Sequence, residues 1–145
     1  MAKLRSTRVA QWPLVAEFTF NYNDTMVDTT GAETDFATVG TRTYDMINLP
    51  ANAVVLSGSV VTEVAVSGPT AYNISVGDSA NPTRYLAATD KKAAGITALV
   101  PTGYVGSGEN IRVTVAPTGA AATSGRVTVR VEYIIVNRAN EVIPV

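Results

Sequence analysis

The chain has 145 residues, with 11 Lys and Arg against 12 Asp and Glu, and contains neither Cys nor His. Without Cys there are no disulfides, zinc–thiolate sites, iron–sulfur clusters or thiol nucleophiles, and without His the commonest general base and transition-metal ligand is missing. Val, Thr and Ile number 21, 19 and 7 against 6 Leu and 1 Gln, a β-branched excess that favours strands over helices.

A chain of this length buries roughly 70% of its extended surface on folding, so a single domain without covalent staples is expected. Residues 1–13 lack the apolar run of a secretory signal, and no segment reaches the ~18 apolar residues that span a bilayer. A soluble protein made in a cytosol follows, with no membrane partner. The net charge of −1 is unevenly spread. Lys3, Arg5 and Arg8 open the chain without an acid, and Glu17, Asp24, Asp28, Glu33 and Asp35 follow without a base before Arg42. This reads either as a solvated basic tail beside an acidic loop or as an arm that docks on an acidic surface. Three cations without interleaved aromatics are too few for a nucleic-acid footprint.

In chain order, residues 1–13 form an N-terminal arm. Residues 14–20 alternate as a half-buried strand, with Leu14, Ala16, Phe18 and Phe20 on one face. The polar stretch 21–42 reads as a long loop, tucked down by Met26, Val27 and Phe36. Strands follow at 43–49 and 53–66. The second of these places Val54, Leu56, Val60, Val64 and Val66 on one face, with Gly58 marking a bulge or bend. Gly68-Pro69 is a turn, and 71–76 alternates with Tyr72, Ile74 and Val76 together.

Residues 84–94 hold the chain's one weak helix candidate. Two further strands, 96–100 and 110–116, each run into a Pro-Thr-Gly turn at 101–103 and 117–119. Residues 126–136 form the clearest strand, with Val127, Val129, Val131, Tyr133 and Ile135 inward, and 138–145 run off as a C-terminal tail. Seven to eight strands without helix–strand alternation predict an all-β fold, an antiparallel β-sandwich of jelly-roll type, over 14–137.

Chemistry is scarce in this pattern. Asp24, Asp28, Glu33 and Asp35 do not have the spacing of a calcium loop, and no Ser has a His to activate it. Gly103, Gly106 and Gly108 follow a strand without opening a helix, so they read as a hairpin loop and not a phosphate cradle. The expectation is a non-enzymatic protein with no catalytic residues, no metal and no cofactor, which works by adhering to a surface.

Residues 72–104 (YNISVGDSANPTRYLAATDKKAAGITALVPTGY) show a strand ending in Gly-Asp, a segment RYLAATD, then a Gly, an apolar strand and a turn. With the closing Val/Arg strand at 126–136, this resembles the small head cement or decoration proteins of tailed bacteriophages, with the jelly-roll cement protein of a Bordetella phage as the nearest suggestion. The resemblance implies a virion component on the outer capsid surface that bridges neighbouring major capsid protein subunits of the HK97-type fold. It also implies self-association, a dimer being favoured over a trimer. On that reading Lys3, Arg5, Arg8 and Trp12 are the first candidates for capsid contact, and Val142, Ile143 and Val145 the second, since Trp and Arg are enriched in interface hot spots. The competing reading is a fibre, baseplate or carbohydrate-binding β-sandwich module that recognises a host surface.

Overall fold

The structure, a computed structural model, describes residues 8–138 and 141–143. Its elements are all strands: β1 (Arg8–Ala10), β2 (Leu14–Asn21), β3 (Thr25–Val27), β4 (Glu33–Asp35), β5 (Arg42–Ile47), β6 (Ala51–Ser67), β7 (Ala71–Gly77), β8 (Leu86–Asp90), β9 (Gly95–Ala98), β10 (Val105–Ser107), β11 (Ile111–Thr118), β12 (Ser124–Ile135) and β13 (Glu141–Ile143). One sheet runs β2-β12-β6, with β9 and β10 both pairing the far edge of β6; the other runs β5-β11-β7-β8. Every pairing is antiparallel. Counting β9 and β10 as one interrupted strand, eight strands form two four-stranded sheets, and the chain repeatedly crosses between them. This is the jelly-roll sandwich that the alternation predicts.

The two inner faces explain the β-branched excess. Val127, Val129 and Val131 of β12 face Tyr72, Ile74 and Val76 of β7 and Ile111, Val113 and Val115 of β11 across one core, each at most 2% exposed. Fully burying one such aliphatic chain contributes about 1.5–3 kcal/mol, so the core follows directly from the period-2 pattern.

β6 departs from its predicted face. Its 17 residues bury Ala53 and Val55 in one half, then Val60, Thr62 and Val66, while Leu56 and Val64 are exposed. The register against β12 explains the change. Glu132 pairs with Ser57 but Tyr133 with Val55, so Leu56 is an extra residue; Arg126 pairs with Val64 but Val127 with Thr62, so Glu63 is another. Ser124 pairs with Ser67 but Arg126 with Val64, a third shift that returns Val66 to the core. Each bulge inverts the side-chain alternation. Gly58 lies beside the first bulge. A Cβ there would come within 2.4 Å of the Arg130 carbonyl oxygen and 2.7 Å of Leu99 Cδ1, so close packing requires glycine at this point.

The predicted helix at 84–94 is replaced by β8. The edge of β7 offers a ladder to this segment: Tyr85 donates to the Val76 carbonyl at 3.0 Å and Lys91 to the Tyr72 carbonyl at 2.8 Å. Satisfying those backbone groups outweighs the weak helical preference of Ala87 and Ala88. Pro117 also falls inside β11 and not in a turn. β5 leaves the ladder at Val115↔Arg42, so the missing N–H of Pro117 interrupts no pair.

Residues 21–42 are not a plain loop. β3 and β4 pair in a hairpin, and Phe36, 2% exposed, caps one end of the core. Phe36 stacks on Phe20 at 4.2 Å between centroids and lies 4.7 Å from Tyr44, and Tyr72 donates its hydroxyl to the Phe36 carbonyl at 2.8 Å. Met26 packs beside the core as expected, whereas Val27 is 57% exposed.

Candidate functional site

The last pair of the β2–β12 ladder is Leu14↔Tyr133. Just beyond it the Gln11 side chain replaces a strand partner. Its Nε2 donates to the carbonyls of Ile135 (2.6 Å) and Arg138 (2.7 Å), and its Oε1 accepts from the Ile135 N–H (2.9 Å). The two chain ends then pair with each other, Ala10 with Glu141, Val9 with Val142 and Arg8 with Ile143. Within the segment expected to run off as a tail, the described residues 141–143 are strand-paired. They form a two-stranded antiparallel ribbon with the N-terminal arm.

Of the seven candidate contact residues, the structure brings Arg8, Val142 and Ile143 into this ribbon and puts Trp12 at its base. Lys3, Arg5 and Val145 lie outside the described residues. Trp12 is 80% exposed, and Val15 and Leu14 beside it are 66% and 40% exposed. They begin β2, which among the described residues pairs on one side only. Tyr22 donates to Gly125 across that pairing, so alternation directs the backbone groups of Val15, Glu17 and Thr19 to the open side. Asp24 covers the far end by accepting from the Asn21 N–H at 2.7 Å.

The outer face of this sheet is polar and laced with charge. Arg130 pairs with Glu17 at 2.9 Å and Arg126 with Glu63 at 3.0 Å, and Thr128 links Thr19 to Glu63 by bonds of 2.7 and 2.8 Å. An open groove of about 260 Å³ runs along it, lined by Val15, Ser57, Ser59, Arg130 and Glu132. The opposite edge exposes Ile96 (73%), Val100 (66%) and Val105 (46%). Sequence reasoning named none of these, nor Val15, as a contact residue. Val15 lies on the outward face that the alternation gives it, whereas Ile96, Val100 and Val105 sit in strand-like patterns that normally signal burial.

The acidic segment forms no cation site. Asp28 accepts from the Thr30 hydroxyl and N–H and from Ala32 N–H, and the hydrogen bond from Thr30 in particular holds its carboxyl below the usual range. Burial opposes charge on Asp35, but the amides of Thr38 and Ala37, with Arg42 nearby, keep its carboxyl low. These acids cap turns one at a time. No group of three or more potential metal-binding side chains occurs among the described residues.

The densest polar cluster lies where the 78–85 loop meets residues 104–109 around β10. Asp78, 3% exposed, pairs with Arg84, whose guanidinium sits 3.6 Å from the Tyr104 ring centroid. Tyr104 donates to Glu109 at 2.9 Å, and Ser107 donates to Glu109 through its N–H at 2.6 Å and its hydroxyl at 2.8 Å. The neighbouring cavity of about 10 Å³ has room for one water. The cluster is a clasp between these two segments.

The backbone N–H of Glu109 itself, then Ser107 and Tyr104, lower this carboxyl from its ordinary 4.5 to about 2. A pKa depressed in the folded state stabilises the fold above the unfolded value and is lost as pH falls through the folded one. The melting temperature should therefore fall between pH 4.5 and about 2, and less steeply in Glu109→Gln. Equal pH slopes in the two proteins would show that these hydrogen bonds do not persist in solution.

Tyr44, Tyr72 and Tyr85 are buried in the core, so they are not available to a carbohydrate platform.

With this geometry in view, the chain proves similar to chains of three phage capsid structures. It is 20% identical to a chain of the cyanophage Pam1 capsid asymmetric unit, with a TM-score of 0.61 over 92% of this chain and 94% of that one. It is 19% identical to a chain of the acidic stable capsid of Helicobacter pylori bacteriophage KHP30, with a TM-score of 0.58 over 95% of each. It is 17% identical to a chain of the capsid of Ralstonia phage GP4, with a TM-score of 0.55 over 92% and 93%. The likeness is one of fold. No protein-family model and no curated protein sequence matches the chain.

Proposed function

We propose that this chain is a non-enzymatic structural protein of a phage virion. On this reading it sits on the outer surface of the capsid and cements neighbouring major capsid protein subunits. The observation that carries the reading is the end-to-end likeness in fold to chains of three phage capsids, which covers at least 92% of each chain compared. The surface agrees with it. A closed core makes a stiff spacer, and exposed apolar residues lie at both edges of one sheet, with Trp12 and Val15 on one side and Ile96 and Val100 on the other. Apolar side chains placed at two separate edges suit a body that touches two neighbours at once. Weak contacts repeated over a lattice then add by avidity. Self-association as a symmetric pair would leave one edge of each copy for the shell.

The test is cosedimentation of the purified chain with phage shells that lack it. The full chain should bind at a copy number commensurate with the lattice. Removing residues 1–12 should weaken binding at least about tenfold, as loss of a Trp-centred hot spot does. A chain that binds no shell, or that is found in virions at the copy number of a tail or fibre, would overturn the reading. Unchanged binding after the deletion would remove the N-terminal arm from it.

A further inference from the structure

Gln11 is the chain's only Gln, and its amide bonds the N–H and C=O of Ile135 and the Arg138 carbonyl where the backbone ladder has stopped. A primary amide can donate and accept at once, as a strand residue does, so it continues the ladder beyond Leu14↔Tyr133 by bonding both backbone groups of Ile135. The clamp fixes where β12 leaves the sandwich relative to β2. It thereby brings residues 8–10 and 141–143, which lie more than 130 positions apart in sequence, into register. An isolated two-stranded ribbon is at best marginally stable in water, and both of its outer edges carry backbone groups that need partners. Among the described residues nothing pairs with those edges. At the ribbon's base Trp12 is exposed, with Leu14 and Val15 exposed on opposite faces of β2 just beyond it.

We infer that the two chain ends are one docking element, a ribbon aimed by Gln11, whose free edge adds to a strand edge of a neighbouring shell subunit. This rests on the cementing role proposed above and specifies how it is carried out. Strand addition gives affinity through main-chain hydrogen bonds, and Trp12 at the base adds the side-chain anchor. Gln11 is a positioning residue in this scheme, because it holds the ribbon and not the shell.

The experiment compares the full chain, Gln11→Ala, a chain ending at Arg138, and the two changes combined, in cosedimentation with phage shells. Each single change should lower affinity about tenfold, and the combination should lower it no more than about threefold further, because both disable the same element. Losses that multiply, or a C-terminal truncation without effect, would overturn the ribbon while leaving the cementing role intact. A full chain that binds no shell would remove the cementing role and the ribbon's partner together. Hydrogen exchange on the free chain supplies a second readout. In Gln11→Ala the Ile135 amide should lose protection while that of Val129 keeps it, and unchanged protection at Ile135 would remove the clamp. Protection of residues 8–10 that rises with protein concentration would make a second copy the occupant and overturn the inference.

Discussion

Phe36→Ala should lower the unfolding free energy by about 3–5 kcal/mol, the cost of truncating a fully enclosed aromatic ring. The ring has two roles. It completes a stack with Phe20 and Tyr44 at one end of the core, and it ties residues 22–41 to the sandwich. Its neighbours do not collapse easily into the vacated space. Tyr44 is held by Thr34 at 2.8 Å, and the Tyr72 hydroxyl is committed to the Phe36 carbonyl. Urea denaturation would measure the loss, with Val27→Ala as the control. Val27 belongs to the same hairpin but is 57% exposed, so its truncation should change stability by no more than about 0.5 kcal/mol. Similar effects from the two substitutions would mean that Phe36 does not occupy the core.

Asp78→Ala should cost about 3 kcal/mol, near the low end for a broken buried ion pair, because the Arg84 side chain keeps 16% exposure. Three partners lose their acceptor together: the Arg84 guanidinium and the amides of Ala80 (2.9 Å) and Asn81 (2.8 Å). Asp78→Asn keeps an oxygen for the two amides and should cost about 1–2 kcal/mol less than the alanine change. Adding Arg84→Met to Asp78→Ala should recover part of the loss by removing the stranded charge. A double variant no better than Asp78→Ala would show that the turn amides, and not the charge, set the cost. Thermal or urea unfolding distinguishes these outcomes.

Much of this architecture was legible in the sequence wherever a strand faces the core on one side and follows a strict period of two. Phe18 and Phe20, Tyr72 to Val76 and Val127 to Val131 were assigned to their faces correctly for that reason. The failures have specific causes. On β6 the extra residues at Leu56 and Glu63 reset the alternation, and a bulge leaves no mark in the hydrophobic pattern when both candidate faces carry Val. At 84–94 local preference pointed to a helix, whereas the open edge of β7 decided for a strand. Phe36 was recognised as an anchor, but the β3–β4 hairpin around it was not, since its strands have only three residues each.

The candidate site was less legible than the fold. Trp12 stood out by residue type, and the structure leaves it exposed at the base of the ribbon. Ile96 and Val100 look like core residues in a one-dimensional pattern, and Val15, which the alternation turns outward, carries no other mark of a contact residue.

The sequence by itself determined an all-β chain without thiol or imidazole chemistry and with the inward faces of its most regular strands. Composition and side-chain period are local properties, and burial rewards them directly. Which strand lies at an edge, where a bulge inverts a face, and that the first and last strands close into a ribbon under Gln11 were decided only by the tertiary structure. Each depends on a backbone partner distant in the chain, and the hydrogen-bonding groups that select it are the same at every residue except proline.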